Sequence, residues 1–577
     1  MKKTGAWLVR YALEQIGTKY TFGIPGVHNT EIYDELNKSE LIQPVLVTHE
    51  GGAAFMADAI SRTSDHTGTL LIVPAAGVTH AASGIGEAFL DGIPVLIISG
   101  GIRTDVDKKY QLHDVDQHAL LAPITKKTYK IETHEEIIPT IYEAYEIANG
   151  GEPGPVFVEV PVNIQLFPGD VSELRPFVAT HTELEPDPEA IRQAAQNLYE
   201  AAKPGLFLGW GAVDASDESI RIAEFLNAPV STTLQGLSAF PADHPLHTGL
   251  SFARAAVPAA ENAFKDCDCM LAVGTRFSEI GTASYGAVPP ANLVHTDINP
   301  KVFNANYPAA VSIEGDSKIV LKALFAALEE IGEPKTDDGS LKSAIKSDKA
   351  AYLDEWFEHD SKGRVNPARF FSELRNQLDD DAIVVADDGN HTFITAELMP
   401  IHSARGFISP TDFNCMGYCT PAVIAARLAN PRKQVVGIIG DGAFLMTCME
   451  TLTATSLGLG GMFFVFSDGE LSQISQAQEI PYNRKTCSVL HEVKISGVAE
   501  ATGCAFISIK NDSECKEGIQ RAIAFADHDK PVIVDVKIDY SKRTRFTKGF
   551  VKTNLERFSL GNKARFVGRA LLRKVTG

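Results

Sequence analysis

Asp441 and Asp468 each follow a short apolar run, and a helix-length segment lies between them. The run 434–439 ends in Gly440-Asp441-Gly442, an amphipathic stretch extends from about 443 to 456, and the run 462–466 ends in Ser467-Asp468-Gly469-Glu470. That order spells a βαβ unit, whose right-handed crossover lays both strands parallel with their carboxyl ends at one edge. Two hard carboxylate ligands at one edge suit Mg²⁺ or Ca²⁺. Gly440 and Gly442 let the backbone approach a phosphate, and a helix opening at Ala443 offers its amides to an anion. Metal, amides and helix end together describe a diphosphate cradle. The plainer alternative, two aspartates serving turns and a helix cap, is weakened by their pairing in one unit.

A third acid has a different setting. The run 44–48 reads as a strand, and His49-Glu50-Gly51-Gly52-Ala53-Ala54-Phe55-Met56-Ala57-Asp58 opens a helix of small residues. Glu50 thus stands at a strand's carboxyl end; the commonplace alternative is a first-turn glutamate favoured by the helix dipole. His28, His80, Gln111 and His113 fall in the same part of the chain. A histidine there can relay protons at a carbonyl or hydroxyl near neutral pH, although any one of them can equally serve structure.

Short apolar runs alternating with amphipathic segments along the whole chain predict an α/β fold of three consecutive parallel-sheet domains. The first, 1–180, has strands over 20–24, 44–48, 69–73, 94–99 and 156–160, and a Pro-containing linker follows around 180–188. The second, 190–335, opens on Leu206-Phe207-Leu208-Gly209-Trp210-Gly211, and the third, 365–545, has strands over 382–386, 434–439, 462–466 and 531–536. Ligands of such sheets bind at the carboxyl ends of the strands. The tail, 546–577, is basic: Phe566, Val567, Ala570 and Leu571 oppose Arg565, Arg569 and Arg573, an amphipathic pattern that leaves peripheral membrane contact open.

The 577 residues exceed one core, and a net charge of -20 argues against nucleic-acid binding. No apolar run is long enough to span a bilayer and the first residues do not read as a signal peptide, so a cytoplasmic protein is expected. Of the 8 cysteines, Cys267 and Cys269 lack the second pair a zinc site needs, and reduced thiols are expected.

Gly440-Asp441-Gly442, with Asp468 about 27 positions on, resembles the thiamine-diphosphate-binding motif of the acetolactate synthase, pyruvate decarboxylase and benzaldehyde lyase superfamily. The general pattern is most similar to acetolactate synthase large subunits. The resemblance implies that Asp441 and Asp468 hold Mg²⁺ by their side chains and Glu470 by its backbone carbonyl. That motif usually ends in Asn-Asn; Ser467-Asp468 adds a negative charge, which favours the metal and crowds the diphosphate. His-Glu-Gly-x-Ala-x-x-Met-Ala-Asp resembles the motif of the activating glutamate. Glu50 is thereby implied to press on the cofactor's aminopyrimidine and shift it towards the imino tautomer.

Other matches follow in chain order. Gly23-Ile24-Pro25-Gly26 resembles the first loop of the pyrimidine-binding domain, with Gly26 at the cofactor. Asp387-Asp388-Gly389-Asn390-His391 resembles the segment that meets the diphosphate, implying contacts from Asn390 and His391. Asn414-Cys415-Met416-Gly417-Tyr418 resembles the loop whose methionine wedges the cofactor, which makes Met416 the wedge. Gly440, Gly442 and Ala443 complete the cofactor contacts. The domains are thus expected in the order pyrimidine-binding, central, diphosphate-binding.

The resemblance also implies a reaction: decarboxylating a small 2-oxo acid such as pyruvate and ligating the acyl unit to a carbonyl acceptor. His28, Gln111 and His113 are the expected catalytic partners of Glu50; His28 follows its loop as a histidine does in benzaldehyde lyase, and His80 stands where the family commonly has Asn. A benzaldehyde-lyase-like cleavage of 2-hydroxy ketones, a 2-hydroxyacyl-CoA lyase and a non-catalytic membrane-associated homologue are the alternatives. FAD in the central domain is left open, because the flavin-contacting motifs are incomplete at 252–254 and 278–280. Active sites between subunits imply a homodimer or homotetramer.

Overall fold

The computed structural model describes residues 1–180 and 184–576; the linker expected around 180–188 lies in part outside the described residues. Three six-stranded sheets follow one another along the chain, each parallel throughout. Their central strands are apolar runs covered on both faces: all of Val95–Gly101, Cys269–Val273 and Met462–Phe466 are buried. Such runs lack polar alternation because helices pack on either side.

The first sheet runs Gln43–Leu46, Tyr20–Gly23, Gly68–Ile72, Val95–Gly101, Val156–Pro161, Lys127–Lys130. The third runs Phe407–Ile408, Ile383–Ala386, Val435–Gly440, Met462–Phe466, Val532–Val536, Ala505–Ile509. Numbered by chain order within each sheet, both read 2-1-3-4-6-5. The middle sheet reads 3-2-1-4-5-6, from His247–Leu250 at one edge to Val311–Glu314 at the other. In every order the chain reverses direction beside strand 1, and the first and third sheets turn back again at the 6-5 edge. The crevice at the carboxyl ends of the strands flanking the reversal at strand 1 is where open α/β sheets bind ligands. In the third sheet those strands are Ile383–Ala386 and Val435–Gly440, and they end in Asp387 and Asp441.

Several elements differ from the expectations. Short edge strands with polar or mixed composition, such as Lys127–Lys130 and His247–Leu250, carry little apolar signal. Lys2–Thr4 pairs antiparallel with Pro168–Asp170 instead of entering a helix directly. The helix expected from about 443 begins at Asp441, ends at Thr447, passes through a tight turn at Cys448–Glu450 and resumes as Thr451–Leu457. Threonines at 447, 451, 453 and 455 weaken a continuous helix there.

The first and third domains pack helix on helix, Glu50–Thr63 against Cys419–Ala429. A buried polar network crosses that contact. Arg62 bonds Asp58 at 2.7 Å and Asp91 at 2.8 Å, and the Tyr418 hydroxyl donates to Asp58 at 2.6 Å. Glu87 accepts the amides of Thr411 and Cys415, both at 3.0 Å. Buried charges of this kind are tolerated only when paired.

The tail forms two helices, Arg545–Arg557 and Leu560–Thr576. The second rests on the segment Ser472–Tyr482: Arg573 donates to the Pro481 carbonyl at 2.8 Å, and Asn483 donates to the Arg573 carbonyl. The helix thus docks on its own chain with Leu571 exposed, and the membrane contact left open from the amphipathic pattern gains no support. Among the described residues, no helix is long and apolar enough to cross a membrane. All eight cysteines are free, and Cys267 donates to the Cys269 carbonyl, with burial pushing both thiols up to about 12.

Candidate functional site

Val435–Gly440 and Met462–Phe466 are hydrogen-bonded neighbours, with Gly440 opposite Phe466. The residues that follow, Asp441 and Ser467-Asp468, therefore emerge side by side. Asp441 accepts the Gly442 amide at 2.8 Å on one carboxylate oxygen, and the Asp468 and Gly469 amides at 3.1 and 2.8 Å on the other. Asp468 accepts the Ser472 hydroxyl and the Glu470 amide. Burial and then the charge of Asp441 push the Asp468 carboxyl up to about 6, with the Ser472 bond working against them; burial also raises Asp441. The Glu470 side chain turns to Lys485, at 2.6 Å, and to Ser475.

Across the strand reversal, His391 sits in the first turn of the helix Asn390–Leu398, and its Nε2 accepts the Gly440 amide at 3.3 Å. Any Cβ at Gly440 would lie 2.8 Å from that ring, so only glycine fits. Burial holds the His391 imidazole down at about 3, so it stays neutral and offers no positive charge to an anion. Buried Asp387 accepts the Gly417 and Cys419 amides at 2.8 and 2.9 Å, and Thr447 donates to the Gly417 carbonyl. Gly417 has φ +86, a conformation glycine adopts without penalty. These bonds fix the loop that carries half-buried Met416.

The second group gathers at the carboxyl edge of the first sheet. Glu50 opens the helix Glu50–Thr63, capped by His49, and His80 lies 3.0 Å from its Oε2. His28, two residues after Gly26, is buried, and its ring lies 5.1 Å from that of His113. Burial and then His113 lower the His28 imidazole, and its Nδ1 has no partner. His113 donates to the Pro74 carbonyl at 2.7 Å from a left-handed backbone, φ 67. Gln111 donates to the Arg103 carbonyl at 3.0 Å, and no hydrogen bond joins it to Glu50, His28 or His113 among the described residues. No hydrogen bond or ion pair joins the Glu50 and Asp441 groups directly either. Their tie is Glu450, which accepts the amide and hydroxyl of Thr48 at 2.9 and 2.6 Å.

The chain matches three family descriptions in sequence order. These are the N-terminal TPP binding domain of thiamine pyrophosphate enzymes over residues 3–120, their central domain over 191–324 and their C-terminal TPP binding domain over 387–536. It is 32% identical to a probable acetolactate synthase large subunit of Methanocaldococcus jannaschii, over 93% of this chain and 92% of that protein. It is 30% identical to the acetolactate synthase large subunit of Haemophilus influenzae, over 94% of this chain and 96% of that protein. The large subunit of Escherichia coli isozyme 1 is 28% identical, over 94% and 95%. The chain is a thiamine pyrophosphate enzyme.

Within that family it is a thiamine-diphosphate-dependent, acetolactate-synthase-like carboligase, which displaces the non-catalytic alternative. The residues present fit the cofactor and a cation. A buried carboxylate, Asp441, and a half-buried one, Asp468, stand together with their ionised forms disfavoured by desolvation and, for Asp468, by the charge of Asp441, which a dication would relieve. Ser467 Oγ beside them is buried without a partner. At Gly442 a Cβ would come within 2.3 Å of Leu471, so the backbone stays bare at the start of the helix.

Three positioning residues had no role assigned from the sequence. Asp387 was legible only as part of a motif, not as the clamp on the Met416 loop. Glu450 gave no signal, since its partner Thr48 is far off in sequence. Gln117 is buried and donates to the Gly100 carbonyl at 3.2 Å and to Glu159 at 2.7 Å, where Gln111 had drawn attention instead.

A cavity of about 520 Å³ lies at the strand reversal of the middle sheet, away from both groups. Gly209, Gly211 and Gly274 line it, together with Asp297, which burial pushes up to about 6, and Arg276, which pairs with Glu152 and Asp412. Its strand order is that of dinucleotide-binding sheets.

Proposed function

We propose that this enzyme decarboxylates pyruvate or a related small 2-oxo acid and ligates the acyl unit to a second carbonyl compound. The observation that carries this reading is the pairing of Asp441 with Asp468 on adjacent strand ends, in a chain whose first domain supplies Glu50. Bound thiamine diphosphate supplies a nucleophilic carbon and an electron sink next to a carbonyl. Mg²⁺ would be held by the Asp441 and Asp468 side chains and the Glu470 carbonyl. Gly440, Gly442 and Ala443 would receive the diphosphate, with Asn390, neutral His391 and Met416 shaping the cofactor's seat and Gly26 bordering its pyrimidine. Glu50 holds the proton exchanged with the aminopyrimidine.

His28 and His113 are the groups that handle protons at the substrate oxygen. The lowered His28 imidazole is neutral at pH 7, with an unpartnered nitrogen able to accept or donate. Gln111, in the same loop as His113, is placed to contact substrate once its bond to Arg103 is exchanged.

The working unit is a homodimer or homotetramer with sites between subunits. The Glu50 and Asp441 groups do not meet within one chain, and both are bordered by exposed apolar side chains. Val27 is 75% exposed, and Met446 and Met449, just after Asp441, are 60% and 48% exposed. Surface of that kind marks an interface, and a second copy would complete the site. FAD is not part of this proposal: the central cavity has a glycine-lined reversal that would suit a nucleotide, but many carboxylates line it.

The test is an NMR product screen with ¹³C-labelled pyruvate, thiamine diphosphate and Mg²⁺, adding 2-oxobutyrate, benzaldehyde or an acyl-CoA in parallel. Acetolactate or a mixed 2-hydroxy acid is expected. Cleavage of benzoin-type ketones or 2-hydroxyacyl-CoA, with pyruvate left untouched, would replace this reading by a lyase.

A further inference from the structure

Glu50 is held by a residue that no motif marks for the task. Its helix is capped by His49, whose Nδ1 accepts the Gly51 amide at 3.0 Å; the proton of that neutral ring therefore resides on Nε2. The helix Ala76–Asp91 brings His80 alongside. Nδ1 of His80 lies 3.0 Å from Oε2 of Glu50, and its ring stacks on His49 with centroids 4.6 Å apart and planes 27° apart. In the form of the site in which Glu50 is the carboxylate, its oxygens only accept, and Nδ1 of His80 is then the donor.

The two oxygens of Glu50 thus have different surroundings. Oε2 is bonded to His80, while Oε1 borders Gly77, where even a Cβ would stand 3.4 Å away, and has no hydrogen-bond partner among the described residues. The structure assigns to His80 the positioning of Glu50: its Nδ1–H holds Oε2 and leaves Oε1 as the oxygen that meets the aminopyrimidine. This rests on the reading of Glu50 as the activating carboxylate. Histidine Nδ1 and asparagine Nδ2 are both attached to Cγ, so either side chain presents a donor at the same reach. Glutamine places its amide one atom farther out.

The experiment follows deuterium exchange at the C2 position of thiamine diphosphate bound to the holoenzyme, at saturating cofactor and Mg²⁺. Thermal unfolding is recorded for each variant, because the His80 side chain is 50% exposed and its loss is expected to leave the fold intact. H80A is expected to slow exchange by about tenfold, the loss of one charge-assisted hydrogen bond that orients a reacting group. H80N is expected to restore the rate and H80Q is not. Wild-type exchange in H80A, or an H80N rate no faster than that of H80A, overturns the assignment. E50Q is the control: persistent exchange there removes the Glu50 reading itself, whereas its collapse beside an unaffected H80A removes only the role of His80.

Discussion

The amide of Asp468 donates to Oδ2 of Asp441 at 3.1 Å, so the residue that stands in place of the family's usual asparagine is tied by its own backbone to the aspartate it would assist. The two carboxylates are thereby fixed relative to each other before any cation arrives. This is preorganisation by the sheet, since both follow strands paired in register.

Removing the first carboxylate should remove the metal. D441N is expected to weaken Mg²⁺-dependent binding of thiamine diphosphate by about 100-fold or more, whereas D468N, which restores the family's residue, should leave it within a few-fold. Cofactor titration followed by protein fluorescence at fixed Mg²⁺ reads both. Equal losses in the two variants would contradict the assigned roles.

Within one chain, Glu450 ties the strand end before Glu50 to the turn that follows the Asp441 helix. E450A removes the acceptor for the amide and hydroxyl of Thr48, next but one to Glu50. Stability should fall by about 1–3 kcal/mol, measured by urea denaturation, and cofactor C2 exchange should slow with it.

The tail is fastened by a carboxyl with a perturbed titration. Glu397 accepts the Arg545 and Phe546 amides and the Tyr352 hydroxyl, and burial pushes it from 4.5 up to about 7, against those bonds. Its folded pKa exceeds its unfolded one, so its contribution is fully present below about 4.5 and is lost as pH rises through about 7. Stability of the wild type relative to E397Q should therefore decline from pH 4.5 to 7.5. Paired thermal melts across that range check the sign.

A site shared between subunits has a genetic signature. E50Q and D441N, each inactive alone, should regain about a quarter of wild-type activity when co-expressed, because half the dimers then hold one intact site of two. Zero recovery in a confirmed mixed dimer would place both residues in one site of one chain.

Much of this was legible in the sequence because parallel strands write themselves as apolar runs. Met462–Phe466 and Val435–Gly440 were visible for that reason, and with them the positions of Asp441 and Asp468. Lys127–Lys130 was not, since an edge strand of lysine, threonine and tyrosine has no apolar run to display. The break at Cys448–Glu450 has a local sign in its threonines, but the contact its Glu450 makes with Thr48, in another domain, was hidden. His80 was visible as a departure from a family pattern, but its meaning needed the distance to Oε2 of Glu50. Gln111 and Gln117 occupy one loop and its following helix, and only packing distinguishes the exposed amide from the buried one.

Glu50 is the residue on which cofactor activation depends. Turnover of the 2-oxo acid substrate and affinity for thiamine diphosphate should be measured together in E50Q. The expected result is a fall in kcat of about two to four orders of magnitude, as for loss of a proton-transferring group, with cofactor affinity retained. Unchanged turnover, or a loss explained wholly by failure to bind the cofactor, would contradict it.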